Sequence, residues 1–218
     1  MEVGGMDTWT SAVILTFGVI GAGLKFIDEA FDEGVFSKRS AALIAPFLVI
    51  AWMCLSIYDP SSATILFAIL AGVILSGKID NLVFKASSAV LILAALLSRK
   101  LNLLWFPFIV LTFLGIADER GNDYADANGM NRIVRFFFLH RFSMKLGVLV
   151  LCLTSYLPWA YLFAFLVFDT SYDLVGGLGQ RMSVMRPGTF FFKDLSPDVS
   201  PERIQFVASC LKLDVANL

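Results

Sequence analysis

Apolar runs of about 17 residues recur along this chain with only short polar segments between them, and that is close to the length a helix needs to cross a bilayer. From Ser40 to Tyr58, from Ser61 to Gly77 and from Leu146 to Phe168 there is no Asp, Glu, Lys or Arg at all. Across its 218 residues the chain is 58% hydrophobic and 16% charged. Soluble domains carry about 45–50% and about 25%, so the pattern points to an all-α, polytopic transmembrane helical bundle. The net charge of −1 gives no reason to expect a nucleic-acid partner. The N-terminal MEVGGMDTWT lacks the basic region of a cleavable signal peptide, so the first run reads as a retained span.

The spacing predicts spans at about 11–27, 40–58, 61–77, 82–98 and 101–117. Asp59-Pro60 and Arg99-Lys100 mark tight turns after the second and fourth. Gly18, Gly21, Ala22 and Gly23 in the first span suit close helix packing. The region after Leu146 is long for one span, and Pro158 sits in its middle. Seven spans, with the last two at 142–156 and 157–175, are preferred over six spans ending in one Pro-kinked helix. The segment from Asp118 to Gly129 is rich in turn residues and reads as a polar connection. The basic aromatic stretch NRIVRFFFLHRFSMK that follows is either a helix in the headgroup plane or the first turns of the next span.

Charge orients the bundle. With seven spans, the side holding the N-terminus carries Arg99 and Lys100, and the other side carries the remaining 15 of the 17 basic residues. The positive-inside rule then places the N-terminus outside and the C-terminus in the cytoplasm. Residues 179–218 read as a short cytoplasmic tail with a helix at about 201–212, started by Ser200-Pro201-Glu202. The tail is too short to bury a core alone. It would dock on the cytoplasmic face, a partner subunit or a second copy.

The candidate functional residues lie where apolar runs end in acid: Asp28 and Asp32, Asp80, Asp118, and Asp169 with Asp173. An acid at a helix C-terminus opposes the macrodipole at a cost of roughly 0.3–1 kcal/mol, so something positive is expected nearby. One answer is local pairing: Lys25 with Asp28, Lys78 with Asp80, Arg120 with Asp118. The other is a bound metal. Asp28/Asp32 and Asp169/Asp173 are both DxxxD pairs that stack on one helix face, and Mg²⁺ or Mn²⁺ suits such oxygen ligands. With Lys38, Arg39 and Lys85 as phosphate-binding bases, this would be a metal-dependent enzyme acting on a lipid phosphate or diphosphate. The alternatives are a non-catalytic membrane subunit or scaffold, and a small-cation channel or carrier. The last is weakened by spans almost devoid of ionisable groups. His140 is the only histidine, which excludes chemistry needing two. Cys54, Cys152 and Cys210 have no metal or disulfide spacing.

Overall fold

The computed structural model describes residues 7–32, 34–79, 81–127 and 131–185. Asp80, the tail beyond Met185 and the helix expected at about 201–212 lie outside the described residues. The described residues are helical without strands. They form α1 (Thr8–Phe31), α2 (Lys38–Tyr58), α3 (Pro60–Ser76), α4 (Leu82–Leu97), α5 (Trp105–Ala127), α6 (Arg132–Leu139), α7 (Phe142–Leu153) and α8 (Ala160–Met185). The chain divides into two units, 1–177 and 178–218. All contacts described below lie within the first, and of the second only the last turns of α8 are described.

Thr8–Phe31, Lys38–Tyr58 and Ala160–Met182 are long and apolar enough to cross a membrane. A fourth candidate is the pair Arg132–Phe138 and Phe142–Leu153, bent by 58° at their break. Pro60–Ser76 and Leu82–Leu97 are shorter apolar helices. The outer surface is apolar: Leu43, Phe47 and Ile50 of α2 and Leu93, Leu96 and Leu97 of α4 are all exposed. A soluble monomer rarely leaves so much contiguous apolar surface in water.

Local chemistry explains most helix boundaries. Asp59 alone joins α2 to α3: it ends one helix, and its carboxylate accepts from the Ser62 amide at 2.6 Å to start the next, with Pro60 at the first helical position. Gly77, at φ +78°, closes α3, and Asn81 caps α4 by accepting from the Phe84 amide at 2.8 Å. Pro46 lies inside α2. It removes the helical donor to the Ala42 carbonyl, a feature the apolar pattern does not flag.

Three boundaries differ from the sequence reading. Helix α5 starts at Trp105 rather than Leu101, which puts Pro107 in its first turn, where a missing N–H does no harm. The residues before it are held by the Leu104 amide, which donates to Thr64 Oγ1 of α3 at 2.9 Å. At its other end α5 runs on through the supposed polar connection to Ala127. Ala125 is buried there, and Phe138 of α6 lies where a Cβ on Gly121 would be. The turn-rich composition is overridden by tertiary packing. The third is the end of α8; as the preferred reading expects, α7 and α8 are two helices and not one kinked one, since Ser155 takes a left-handed φ of +61° and Pro158 lies in the connection. Helix α8 then continues past Val175 to Met185.

Helix α3 is the hub. It is buried from Ser61 through Ala68 and again at Leu70 and Gly72, and it packs on α2 and α5. At its crossing with α5, a Cβ on Gly72 would sit 3.5 Å from the Gly115 backbone. Helices α1 and α8 approach closely too. A Cβ on Gly21 would collide with the Phe168 carbonyl, and one on Gly18 would press on Val167 and Ser171. The small residues of the first span therefore serve the close packing expected of them.

Candidate functional site: a half-polar cavity at one end of the bundle

The acids and bases near one end of the helices form a connected network. Lys25 of α1 pairs with Asp28 at 2.7 Å and Glu29 at 3.1 Å, one turn on along the same face. Its ammonium also lies 5.3 Å from the ring of Tyr172 on α8. The same ring takes the Arg141 guanidinium at 4.4 Å. Arg141 reaches Glu119 of α5 at 3.5 Å and Asp169 of α8 at 3.8 Å. Lys145 of α7 binds Asp169 at 2.5 Å and donates to the His140 carbonyl at 2.7 Å. Lys78, after α3, pairs with Asp123 and lies 3.8 Å from Glu119.

Arg141 is the centre of this network and occupies the break between α6 and α7. Its backbone is left-handed, with φ +49°, a conformation that costs a residue with a side chain about 1–3 kcal/mol. Its side-chain contacts to α5 and α8 hold it there. Sequence reading counted Arg141 only as one cation in a basic aromatic stretch. Nothing local marks it, because its partners are 22, 28 and 31 residues away in sequence (Glu119, Asp169 and Tyr172).

Asp118 has a different role. It is 1% exposed, and its two oxygens accept from the backbone amides of Ser143 at 3.1 Å and Met144 at 2.9 Å. Those amides belong to the first turn of α7, where N–H groups have no helical partner. Arg141 precedes that turn and supplies no side-chain cap, so α5 caps α7 from across the bundle. A carboxylate at a helix N-terminus is also favoured by the macrodipole.

The sequence-derived site residues therefore separate. Asp28 and Asp32 line a cavity. Asp118 and Asp169 are buried in capping and ion-pair roles, and Asp173 is exposed on α8. Lys38, Arg39 and Lys85 are exposed and do not line the cavity. Lys38 sits over the Phe31 ring at 5.7 Å. Lys25 pairs with Asp28 as local pairing expects, but Asp118 is satisfied by amides and not by the exposed Arg120. Asp28 and Asp32 do lie at the end of α1, but two of the other acids do not mark helix ends. Asp118 lies within α5 and Asp169 within α8, so the macrodipole penalty does not arise for them. Among the described residues, no three His, Cys, Asp or Glu side chains are grouped to hold a metal ion.

The cavity has a volume of about 310 Å³, at the lower end of the usual range for ligand pockets. Its two ends differ. Leu48, Trp52, Ile69, Leu70, Leu91 and Phe168 line an apolar interior. Asp28, Asp32, Lys78, Glu119, Arg141 and Tyr172 line the end where the network lies, and Asp32 there is exposed. Trp52 is 3% exposed, and among the described residues its indole Nε1–H has no hydrogen-bond partner. No family model, curated protein or solved structure matches this chain.

Proposed function

We propose that this chain is a seven-pass membrane protein that takes up a single-tailed zwitterionic amphiphile, tail inward, in the half-polar cavity. The observation that carries this is the segregation of the cavity lining: aliphatic and aromatic side chains inside, three carboxylates and two cations at the other end. An alkyl tail gains from burial in the first part. A head group bearing both signs meets Lys78 and Arg141 with its anion and Asp28, Asp32 and Glu119 with its cation. A head of one sign would meet like charges in the same lining, which is unfavourable.

In this reading α1, α2, α3, α4, α5, α7 and α8 cross the bilayer, and α6 lies at its surface. The charged network then sits at the cytoplasmic end, where most basic residues fall. Helix α3, shielded by its neighbours, tolerates being short because it does not have to match the lipid. The sequence-based idea of a lipid ligand is retained. Metal ions are not needed to balance the acids, because Lys25, Lys78, Arg141 and Lys145 already do so.

Tryptophan fluorescence tests this. Trp9, Trp105 and Trp159 are 46%, 67% and 50% exposed, so replacing them with Phe leaves Trp52 as a buried reporter. In nanodiscs, a tail-brominated dodecylphosphocholine should quench Trp52 saturably, at one molecule per chain. Ser88→Phe, which puts a ring into the cavity, should abolish the saturable quenching while the protein keeps its unfolding temperature within a few degrees. Quenching that never saturates, or that is identical in Ser88→Phe, rules the reading out.

A further inference from the structure

We infer that the occupant of this cavity is a monoacyl ester lipid, and that Ser87 and Ser88 of α4 donate to the carbonyl oxygen where its tail begins. This rests on the amphiphile reading and adds the chemistry of the link between head and tail. Phe84, Ser87, Ser88 and Leu91 all line the cavity. Their spacing is that of one helix face, so α4 turns this face to the space. Ser88 is 9% exposed and Ser87 is half-buried. A serine oxygen is one bond from its Cβ, so a hydroxyl on this face reaches the space by rotation about a single bond. Hydroxyls in helices commonly turn back to the carbonyl of the preceding turn, as Thr16, Thr64 and Thr170 do. Among the described residues, Ser87 and Ser88 make no such bond. Alanine, which flanks them at positions 86 and 89, would leave the same space with no polar atom in it.

The fold sets the depth of these hydroxyls. Lys78 lies at the charged end, and Asn81 caps the start of α4 three residues later. Ser87 and Ser88 follow Asn81 in the sequence by six and seven residues, about 9–11 Å along the helix at 1.5 Å per residue. Leu91 is one turn further, in the apolar interior. The hydroxyls therefore stand between the charged mouth and that interior. A monoacyl glycerophospholipid has the same order: charged head, glycerol, ester carbonyl, tail. Its carbonyl accepts hydrogen bonds without adding a charge. Methylenes at that level would instead cover two hydroxyls and cost them their bonds to water.

The test compares 1-lauroyl-lysophosphatidylcholine with its ether-linked 1-dodecyl analogue, in which a methylene replaces the carbonyl. Each is titrated by calorimetry into the full-length protein in nanodiscs, with empty nanodiscs subtracted, as wild type and as the double variant Ser87→Ala with Ser88→Ala. The wild type should bind the ester about fivefold more tightly, the effect of one buried hydrogen bond. In the double variant that preference should fall within twofold, while affinity for the ether stays within twofold of wild type. The wild-type comparison does not depend on how the variant folds. Equal affinities in the wild type, or a preference that survives in the double variant, overturn this inference while the amphiphile reading stands. If neither probe binds the wild-type protein, both fall together.

Discussion

The acidic ends of the first and fifth apolar runs look alike in sequence and do opposite things in the fold. Asp118 is 1% exposed and is committed to the first-turn amides of α7. Asp28 has a side chain 26% exposed, shares Lys25 with Glu29, and lines the cavity. The difference lies in what each acid faces. Asp118 meets a helix N-terminus whose own preceding residue offers no cap. Asp28 meets Lys25 of its own helix and the cavity that it lines. A carboxylate after an apolar run is thus a structural device where another helix begins beside it, and a cavity-lining group where none does.

That contrast breaks if the buried acid proves dispensable. Asp118→Ala should destabilise the protein by about 2–4 kcal/mol, because two buried amides lose a charged acceptor and α7 loses its cap. Thermal unfolding in detergent followed by circular dichroism measures this. An unchanged unfolding temperature would mean that α7 is capped some other way. Asp169→Ala should come next, at about 1–3 kcal/mol. It leaves Lys145 and Arg141 without their shared carboxylate, although both cations reach some solvent and Arg141 keeps Glu119.

The cavity end should show the reverse balance. Lys78→Gln removes a partly exposed ion pair, so stability should change by less than about 1 kcal/mol. Affinity for dodecylphosphocholine should nevertheless fall several-fold in the calorimetric titration. A large stability loss without a binding effect would place Lys78 with Asp118 on the structural side. The smallest change is expected for Asp28→Asn, about 0.5 kcal/mol, since Glu29 still holds Lys25. Its effect would be seen in binding of the cationic part of the head group, by comparing the zwitterionic probe with dodecyl phosphate.

Much of the helix plan was legible because helix ends are local chemistry. Asp59-Pro60, Asn81 and Gly77 each act within a few residues of themselves, and a tight turn after Tyr58 is readable from two letters. The extension of α5 was not legible. Asp118 to Ala127 has turn-like composition, and tertiary contacts make it a helix, among them Phe138 packed on Gly121 and the buried Ala125. The candidate site was half legible. The acids were visible as acids, and Lys25 as the local partner of Asp28. Arg141 and Tyr172 were not, because the contacts that define them are to residues tens of positions away.

Sequence alone determined that this chain is a bundle of apolar helices, where most of those helices start and stop, and which end holds the charge. These follow from hydrophobic run length and from capping, both functions of neighbours in the chain. Only the tertiary structure decided which acids are used up in holding the bundle together and which line a cavity. That depends on partners tens of residues away and on where close-packed helices leave a gap.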